Sequence, residues 1–304
     1  MFEVNLLHFP LWILRRNERD VVNYYNFMTP YIGRATGSNM LNFGYWSEKT
    51  KNPLQAQNEL CTLIGEFANL DSANKVIDIG SGFSAPAIHW KSIYTFLNIT
   101  CINVNLIQIK AATKLVSNTP ASKTETLSNT KEISFVNAAA TILPFVDQCA
   151  DRVVALESAQ HFKSLIQFMQ ESKRILKHDG LFVAAIPVIT TTKPLTHQFM
   201  ELGILSLTWA SEHYKLTNVK SMIKAAGFKI IDIQHIGSHV YKPLTDYYIQ
   251  NRKIIKYAIL KENHSYFHTV LYDVFENIFY KSALKMKEVY QKGIIDYVLI
   301  KAHR

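Results

Sequence analysis

Seven short apolar runs follow one another from residue 75 to the end of the chain, and amphipathic helical patterns separate most of them. Continuous apolar strands that alternate with helices are typical of a parallel sheet covered on both faces. We therefore predict an α/β fold built on seven strands. The runs are Lys75–Gly80, Ile99–Asn105, Glu132–Ala138, Arg152–Ser158, Leu181–Pro187, Phe228–Ile236 and Asp296–Ala302.

Two segments do not fit this alternation, residues 188–216 and 237–293, and together with residues 1–50 they are predicted to form a cap over the carboxyl ends of the sheet. We predict that residues 1–50 form N-terminal helices and a lid segment. Residues 51–304 are predicted to form one catalytic domain, in which about 188–216 and 237–293 are helical cap insertions. The segment 188–216 carries the apolar Leu202, Leu205 and Trp209, which favours a hydrophobic ligand.

The chain has 304 residues and a formal net charge of +9. A basic balance can indicate a nucleic acid, an anionic lipid or an anionic small molecule as partner. Here the lysines and arginines are spread along the chain without a dense cluster, so nucleic-acid binding is disfavoured. Neither a monomer nor a homodimer is excluded.

The N-terminal stretch is apolar, but no run approaches the roughly 18 residues of a membrane helix. Leu11–Leu14 beside Arg15 and Arg16 predict an amphipathic helix, and a peripheral membrane contact is the less favoured alternative. The three cysteines are widely spaced, without a CxxC pair, so neither a metal site nor a disulfide framework is predicted. A cytoplasmic location is expected.

A glycine loop follows the first strand and reads D-x-G-x-G-x-S, with Asp78, Gly80, Gly82 and Ser84 at the fixed positions. Glycines let the backbone turn tightly and approach a ligand closely. The pattern is neither the dinucleotide loop G-x-G-x-x-G nor a phosphate loop. An acid before the first glycine suits a ligand that carries an amino group.

The apolar run of the fourth strand is followed by the polar residues Glu157, Ser158, Gln160 and His161. Ligands of open α/β sheets bind at the carboxyl ends of the strands. We therefore predict that this polar stretch lies in the functional site.

Together these segments resemble a known family. "DIGSGFS", "INVNLIQ", "LPF", "ESAQHF" and "SKRILKHDG" are similar to segments of small-molecule class I methyltransferases that use S-adenosylmethionine. Within that family the chain resembles the group of tocopherol, rifamycin-type and rebeccamycin sugar O-methyltransferases. The segments "YYNFMTPYIG", "NMLNFGYW" and "DYVLIKAHR" are similar to segments of that group. The resemblance implies a Rossmann-like, seven-stranded methyltransferase sheet with an antiparallel last strand.

The resemblance also implies S-adenosyl-L-methionine as cofactor. Tyr25, Tyr45 and Trp46 would close over its sulfonium, with plain core packing as the alternative for Tyr45 and Trp46. Asn103 stands where many relatives have an acid, and Ala139 where they have an aspartate. The implied cofactor-binding residues are Tyr25, Tyr45, Trp46, Asp78, Gly80, Ser81, Gly82, Asn103, Val104, Gln108, Ala139, Ala140 and Glu157.

The implied reaction is an in-line transfer of a methyl group to a small acceptor, with O-methylation favoured. His161 is the candidate base, since an imidazole suits proton removal near neutral pH. Gln160 and Glu157 complete the candidate catalytic set, and His161 acts alone, pairs with Glu157 or only binds the acceptor. Ile186 stands where related sugar methyltransferases have an aspartate. A buried, hydrogen-bonded imidazole without catalytic use is therefore the alternative for His161.

Two alternatives remain. One is a methyltransferase-like protein that binds without turnover, which the departures at Ser84, Ala139 and Ile186 favour. The other is a C-methyltransferase that acts on a quinone or a lipid.

Overall fold

A computed structural model describes residues 17–117, 133–191, 195–208, 212–261 and 266–304. All seven predicted strands are confirmed. They are β1 (Lys75–Ile79), β2 (Asn98–Asn103), β3 (Ile133–Asn137), β4 (Ala150–Leu156), β5 (Leu176–Ile189), β6 (Lys229–His235) and β7 (Ile295–His303).

The strands form one sheet in the order β3-β2-β1-β4-β5-β7-β6. β1 pairs in parallel with β2 on one side and with β4 on the other. β7 runs antiparallel to β6, which confirms the predicted exception. Because β1, β2 and β4 are parallel neighbours, their carboxyl ends meet at one edge of the sheet.

Some helices connect consecutive strands, and others lie in the segments that were predicted as insertions. They are α1 (Glu18–Thr36), α2 (Pro53–Phe67), α3 (Ala85–Ile93), α4 (Leu106–Ser117), α5 (Leu165–Ile175), α6 (Leu195–Leu202), α7 (Leu205–Thr208), α8 (Leu216–Ala225), α9 (Tyr241–Leu260) and α10 (Tyr266–Gln291). In the part of the chain that the structure covers, no helix is both long and apolar enough to cross a membrane. The amphipathic segment Leu11–Leu14 lies outside the described residues.

The chain divides into two compact units. The sheet unit comprises Asn58–Val188, Glu212–His235 and Tyr297–Arg304, and the helical unit comprises Met1–Gln57, Ile189–Ser211 and Ile236–Asp296. The predicted assignment of residues 1–50 as a lid and of the insertions as caps stays a prediction.

The sheet unit is held by apolar side chains between the sheet and its helices. Phe168 of α5 lies between Phe162 and Phe182, with ring centroids 4.9 and 5.6 Å away. Trp90 of α3 is fully buried and donates from Nε1 to the carbonyl of Cys61 at 2.7 Å. Burying a ring of this size stabilises the fold by about 3 kcal/mol.

The helical unit relies on aromatic contacts between its helices. Phe27 of α1 packs against Phe275 of α10 with centroids 5.0 Å apart, and Tyr31 lies 4.6 Å from Tyr272. Edge and tilted ring contacts of this kind add to the stabilisation that comes from buried area.

The fifth strand is longer than the predicted run Leu181–Pro187. It begins at Leu176 and includes the polar stretch Lys177–Gly180. Leu176 pairs with Ala150 across a shift in register, and this pairing keeps the polar stretch extended.

Candidate functional site

The glycine loop after β1 has no room for a side chain at Gly80. Gly80 has φ +75°, and a Cβ at this position would lie 2.3 Å from Cβ of Ser158. The amides of Gly80 and Ser81 both donate to the carbonyl of Ile102, at 2.8 and 3.0 Å. Gly82 also has a positive φ, +56°. These bonds fix the loop beside the end of β2, and the loop has no side chain at Gly80 or Gly82.

Asp78 is a buried acid just before this loop. Its side chain is 2 % exposed, and its Oδ2 has no hydrogen-bond partner among the described residues. Burial raises the pKa of Asp78 to about 7, because a low-dielectric environment penalises the carboxylate. A cationic ligand group would remove that penalty.

Two amides meet at the end of β2. Asn103 donates from Nδ2 to the carbonyl of Gly82 at 3.1 Å and to Oε1 of Gln108 at 2.8 Å. Both amide hydrogens of Asn103 are therefore used within the chain, whereas Nε2 of Gln108 is buried without a partner in the described ranges. Asn137 donates to the carbonyls of Asn103 and Val104, which fixes this end of the strand.

The loop after β3 begins with the predicted adenine contacts. Ala140 is 9 % exposed and Ala139 is partly exposed. The amide of Ile142 donates to the carbonyl of Ala139 at 3.3 Å. The loop is therefore closed on itself at Ala139, and its contact with adenine stays a prediction.

The polar stretch after β4 is a compact turn. Glu157 has φ +49°, its amide donates to Ala185, and its Oε1 accepts from the hydroxyl of Tyr297 at 2.8 Å. Ser158 donates from Oγ to the carbonyl of Ile79 at 2.5 Å, so the turn is bonded to the end of β1. Its neighbour Gly80 leaves room for Ser158.

Gln160 and His161 lie on the 3-10 turn Ala159–His161 that follows. Nε2 of Gln160 is 2.6 Å from the carbonyl oxygen of Glu157 and 3.1 Å from Nε2 of His161. Gln160 is 5 % exposed, and its Oε1 lacks a partner within the described part of the chain. The structure thus brings the three candidate catalytic residues into one turn.

The predicted aromatic closure lies in the helical unit. There Tyr45 stacks on His239 at 4.5 Å, and Trp46 is buried with its ring 5.3 Å from Tyr247. Tyr25 makes an edge contact with Tyr24 at 5.6 Å. These rings contribute to packing in that unit, and their contact with the cofactor stays a prediction.

Sequence reasoning missed two features. Tyr297 was assigned only to the last apolar strand, although a buried tyrosine hydroxyl needs a partner, and here the partner is Glu157. In the helical unit, both side-chain atoms of Asn42 and Oε1 of Gln57 are buried without a partner in the described residues. The sequence signal for the buried Asn42 was its position between the apolar residues Leu41 and Phe43.

The family comparison decides the class of protein. Residues 77–184, which span β1 to β5 and contain the whole glycine loop, match the family described as "Methyltransferase domain". The chain carries a class I S-adenosylmethionine-dependent methyltransferase domain. Its cofactor is S-adenosyl-L-methionine.

Curated relatives of this methyltransferase resemble most of its length. Methyltransferase GfsG of Streptomyces halstedii is 28 % identical over 72 % of this chain and 76 % of its own. Erythromycin 3''-O-methyltransferase of Saccharopolyspora erythraea is 24 % identical over 81 % of each chain. Sterol 24-C-methyltransferase ERG6B of Gibberella zeae is 26 % identical over 71 % of this chain and 54 % of its own.

A solved structure shows the same fold. Cyclopropane synthase MmaA2 of Mycobacterium tuberculosis superposes with a TM-score of 0.72 at 15 % identity, over 92 % of this chain and 95 % of that one. At this identity the likeness concerns the architecture alone.

Proposed function

We propose that this methyltransferase transfers the methyl group of S-adenosylmethionine to a hydroxyl oxygen of a small, apolar acceptor. The observation that carries the site is a set of three buried polar atoms without partners in the described residues, at the edge where β1, β2 and β4 end. They are Oδ2 of Asp78, Nε2 of Gln108 and Oε1 of Gln160. Buried polar groups almost always have partners, so a ligand is expected to supply them.

These atoms fit the chemistry of the cofactor. The carboxyl of Asp78 suits the ammonium of its methionine part, directly or through the glycine loop. The free donor of Gln108 suits a ribose hydroxyl, a role for which the amide hydrogens of Asn103 are already used. When bound, S-adenosylmethionine supplies a methyl group on a positively charged sulfur. The bare backbone of Gly80 and Gly82 allows the methionine part to approach.

The remaining cofactor contacts are proposed from the resemblance. Ser81 would complete the loop under the methionine part, and Val104 would flank the ribose. Ala139 and Ala140 would face adenine with their backbone, because neither side chain can hydrogen-bond.

The hydroxyl acceptor is proposed from the relatives and from His161. A relative is named for 3''-O-methylation of erythromycin, and another is named 27-O-demethylrifamycin SV methyltransferase. His161 follows the carboxyl end of β4, and an imidazole there can take the hydroxyl proton during transfer. Positioning of the two reactants supplies much of the rate in such a transfer.

An apolar acceptor is proposed from the insertion at 188–216. Leu202 and Leu205 are 1 % and 3 % exposed within the helical unit, whereas Trp209 lies outside the described residues. We keep nucleic acid and a membrane surface as disfavoured partners, and a cytoplasmic monomer or homodimer as the expected form.

C-methylation is the second candidate, because ERG6B is named as a sterol 24-C-methyltransferase. Binding without turnover is the third. Ser84, Ala139 and Ile186 depart from the family pattern. Ile186 is an apolar residue, 1 % exposed, at the position where related sugar methyltransferases have an aspartate.

The first experiment is calorimetry of S-adenosylmethionine and S-adenosylhomocysteine with the wild type, Gly80→Arg and Gly293→Arg. Gly293 also has a positive φ, +68°, but nothing lies within 4 Å of its Cβ position, so it is the matched control. We expect binding by the wild type and by Gly293→Arg, and loss of binding in Gly80→Arg. Absence of binding by the wild type would refute the cofactor site.

The second experiment uses cofactor labelled with carbon-13 in the methyl group and a panel of hydroxylated macrolides and sterols. The chemical shift of the transferred methyl group distinguishes O-methyl from C-methyl products. O-methyl products support the proposal, C-methyl products support the second candidate, and cofactor binding without any product across the panel supports the third.

A further inference from the structure

The side-chain amide of Gln160 lies between two groups that can accept a hydrogen bond. Its Nε2 is 2.6 Å from the carbonyl oxygen of Glu157 and 3.1 Å from Nε2 of His161. An amide nitrogen carries two hydrogens, one for each neighbour. Gln160 is 5 % exposed, so water has little access to compete for these bonds.

The orientation of this amide is fixed by the carbonyl of Glu157. A carbonyl oxygen only accepts hydrogen bonds. If the amide were reversed, Oε1 of Gln160 would face that oxygen at about the same separation as Nε2 does now, and two acceptors would repel. The backbone of the turn is fixed as well, since the carbonyl of Gln160 accepts from the amide of Glu212 at 2.8 Å.

We infer that Gln160 is a positioning residue that holds His161 as the neutral tautomer with its proton on Nδ1. Because Nε2 of Gln160 donates, Nε2 of His161 must accept with its lone pair. A neutral imidazole that accepts at Nε2 carries its hydrogen on Nδ1. The opposite tautomer and the imidazolium would both place an N–H against an N–H at 3.1 Å.

The inference deepens the proposed function and rests on it only for the role of His161 in methyl transfer. Nε2 is the basic atom of this tautomer, and it is already bonded to Gln160. The acceptor hydroxyl must therefore displace the amide of Gln160 before His161 can take its proton. Gln160 neither gives nor receives that proton, so it is not itself a catalytic residue.

The test measures the tautomer directly in the cofactor-free protein. Long-range proton–nitrogen NMR of protein labelled with nitrogen-15 histidine separates Nδ1–H, Nε2–H and imidazolium rings. The chain has 11 histidines, so the signal of His161 is identified by its loss in His161→Asn. We expect the Nδ1–H pattern in the wild type at neutral pH.

Gln160→Glu replaces the donor by a carboxylate, and we expect loss of the Nδ1–H pattern in favour of Nε2–H or imidazolium. Gln167→Glu, an exposed position of α5, adds the same charge and should leave the pattern unchanged. If Gln160→Glu does not fold, Gln160→Met removes the donor without a charge and should give a mixture of tautomers.

An Nε2–H pattern in the wild type would overturn the inference, as would an Nδ1–H pattern that persists in both Gln160 variants. Neither outcome depends on cofactor or acceptor. Failure of the proposed function in the calorimetry is therefore distinguishable from failure of this inference.

Discussion

The buried polar groups at the two ends of the strands differ in their hydrogen-bond partners. At the edge where the strands begin, Arg152 donates to the carbonyls of Ala68 and Asn69 at 2.7 and 3.2 Å, and Asp151 accepts from the amides of Asn74 and Lys75. At the edge where β1, β2 and β4 end, three buried polar atoms have no partner in the described residues.

This difference separates two uses of a buried polar group. A group with partners inside the chain stabilises the fold. A group without them costs free energy in the ligand-free protein, and at the proposed site we assign its partner to a ligand. Substitutions at the first edge should therefore change unfolding, and those at the second should change cofactor binding.

The largest expected effect is on stability at the edge where the strands begin. Arg152→Met should lower the free energy of unfolding by about 5 kcal/mol, because it removes the charged hydrogen bonds from Arg152 to Ala68, Asn69 and Ser72 and takes this partner from the carbonyl of the buried Ala68. Urea unfolding measures the loss, with the exposed Arg19→Met as control. Calorimetry on folded protein should give unchanged cofactor affinity, and a selective loss of affinity would break the comparison.

Asp78→Asn should give effects of opposite sign on stability and binding. The pKa of Asp78 is raised from 3.8 to about 7 by burial, so the folded wild type holds a proton that the unfolded chain releases above pH ~4. Wild-type stability from this group is present below that pH and is lost as the pH rises to about 7. The loss is on the order of 4 kcal/mol at ~1.4 kcal/mol per pKa unit.

The variant should therefore match the wild type near pH 4 and be more stable near pH 8, as seen by thermal unfolding at both values. It should bind S-adenosylmethionine more weakly at pH 8. An Asp78→Asn variant that binds the cofactor normally would show that Asp78 serves only the fold.

Gly80→Ala is expected to cost about 3 kcal/mol of stability, from a positive φ and from the contact with Ser158. Gly293→Ala has a similar φ, +68°, without a contact, so it should cost only about 1 kcal/mol. Urea unfolding of both variants isolates the contact. Adding Ser158→Gly to Gly80→Ala should recover part of the difference, and no recovery would contradict the steric explanation.

Tyr297→Phe should have the smallest effect on stability, about 1 kcal/mol, because it removes one hydrogen bond to Glu157. We expect kcat to fall while cofactor affinity stays unchanged, since Glu157 begins the turn that carries His161. Steady-state kinetics against the exposed Tyr257→Phe control measure this. A loss of cofactor affinity instead would assign Glu157 to the cofactor.

The strands β1, β2, β4 and β7 could be predicted from sequence because they are largely buried and leave continuous apolar runs. The outer strands β3 and β6 are only partly buried, although their sequences are also rich in apolar residues. The start of β5 could not be predicted, since Lys177–Gly180 is polar and its strand contacts join residues far apart in sequence, such as Leu176 with Ala150 and Gly180 with Arg304. Arg152 is 7 % exposed although it is charged. Its burial depends on carbonyls at Ala68 and Asn69, which lie more than 80 positions away in sequence.

The glycine loop was predicted as a site segment from its D-x-G-x-G-x-S pattern, and the turn after β4 from its polar residues at the carboxyl end of a strand. Their internal geometry was not predictable. The bond between Gln160 and Nε2 of His161 depends on the 3-10 turn at Ala159–His161 and on φ +49° at Glu157. A one-residue change in that turn would remove it without altering the apolar pattern.

The contact between Gly80 and Ser158 has a consequence for protein engineering. A library that aims to change acceptor choice would naturally randomise residues 157–161. Position 158 should be restricted to serine, alanine or glycine, because a larger side chain there would press on Gly80 in the loop that we propose as the cofactor site. A small residue at position 158 therefore preserves the geometry of the proposed donor-binding loop while neighbouring positions are varied.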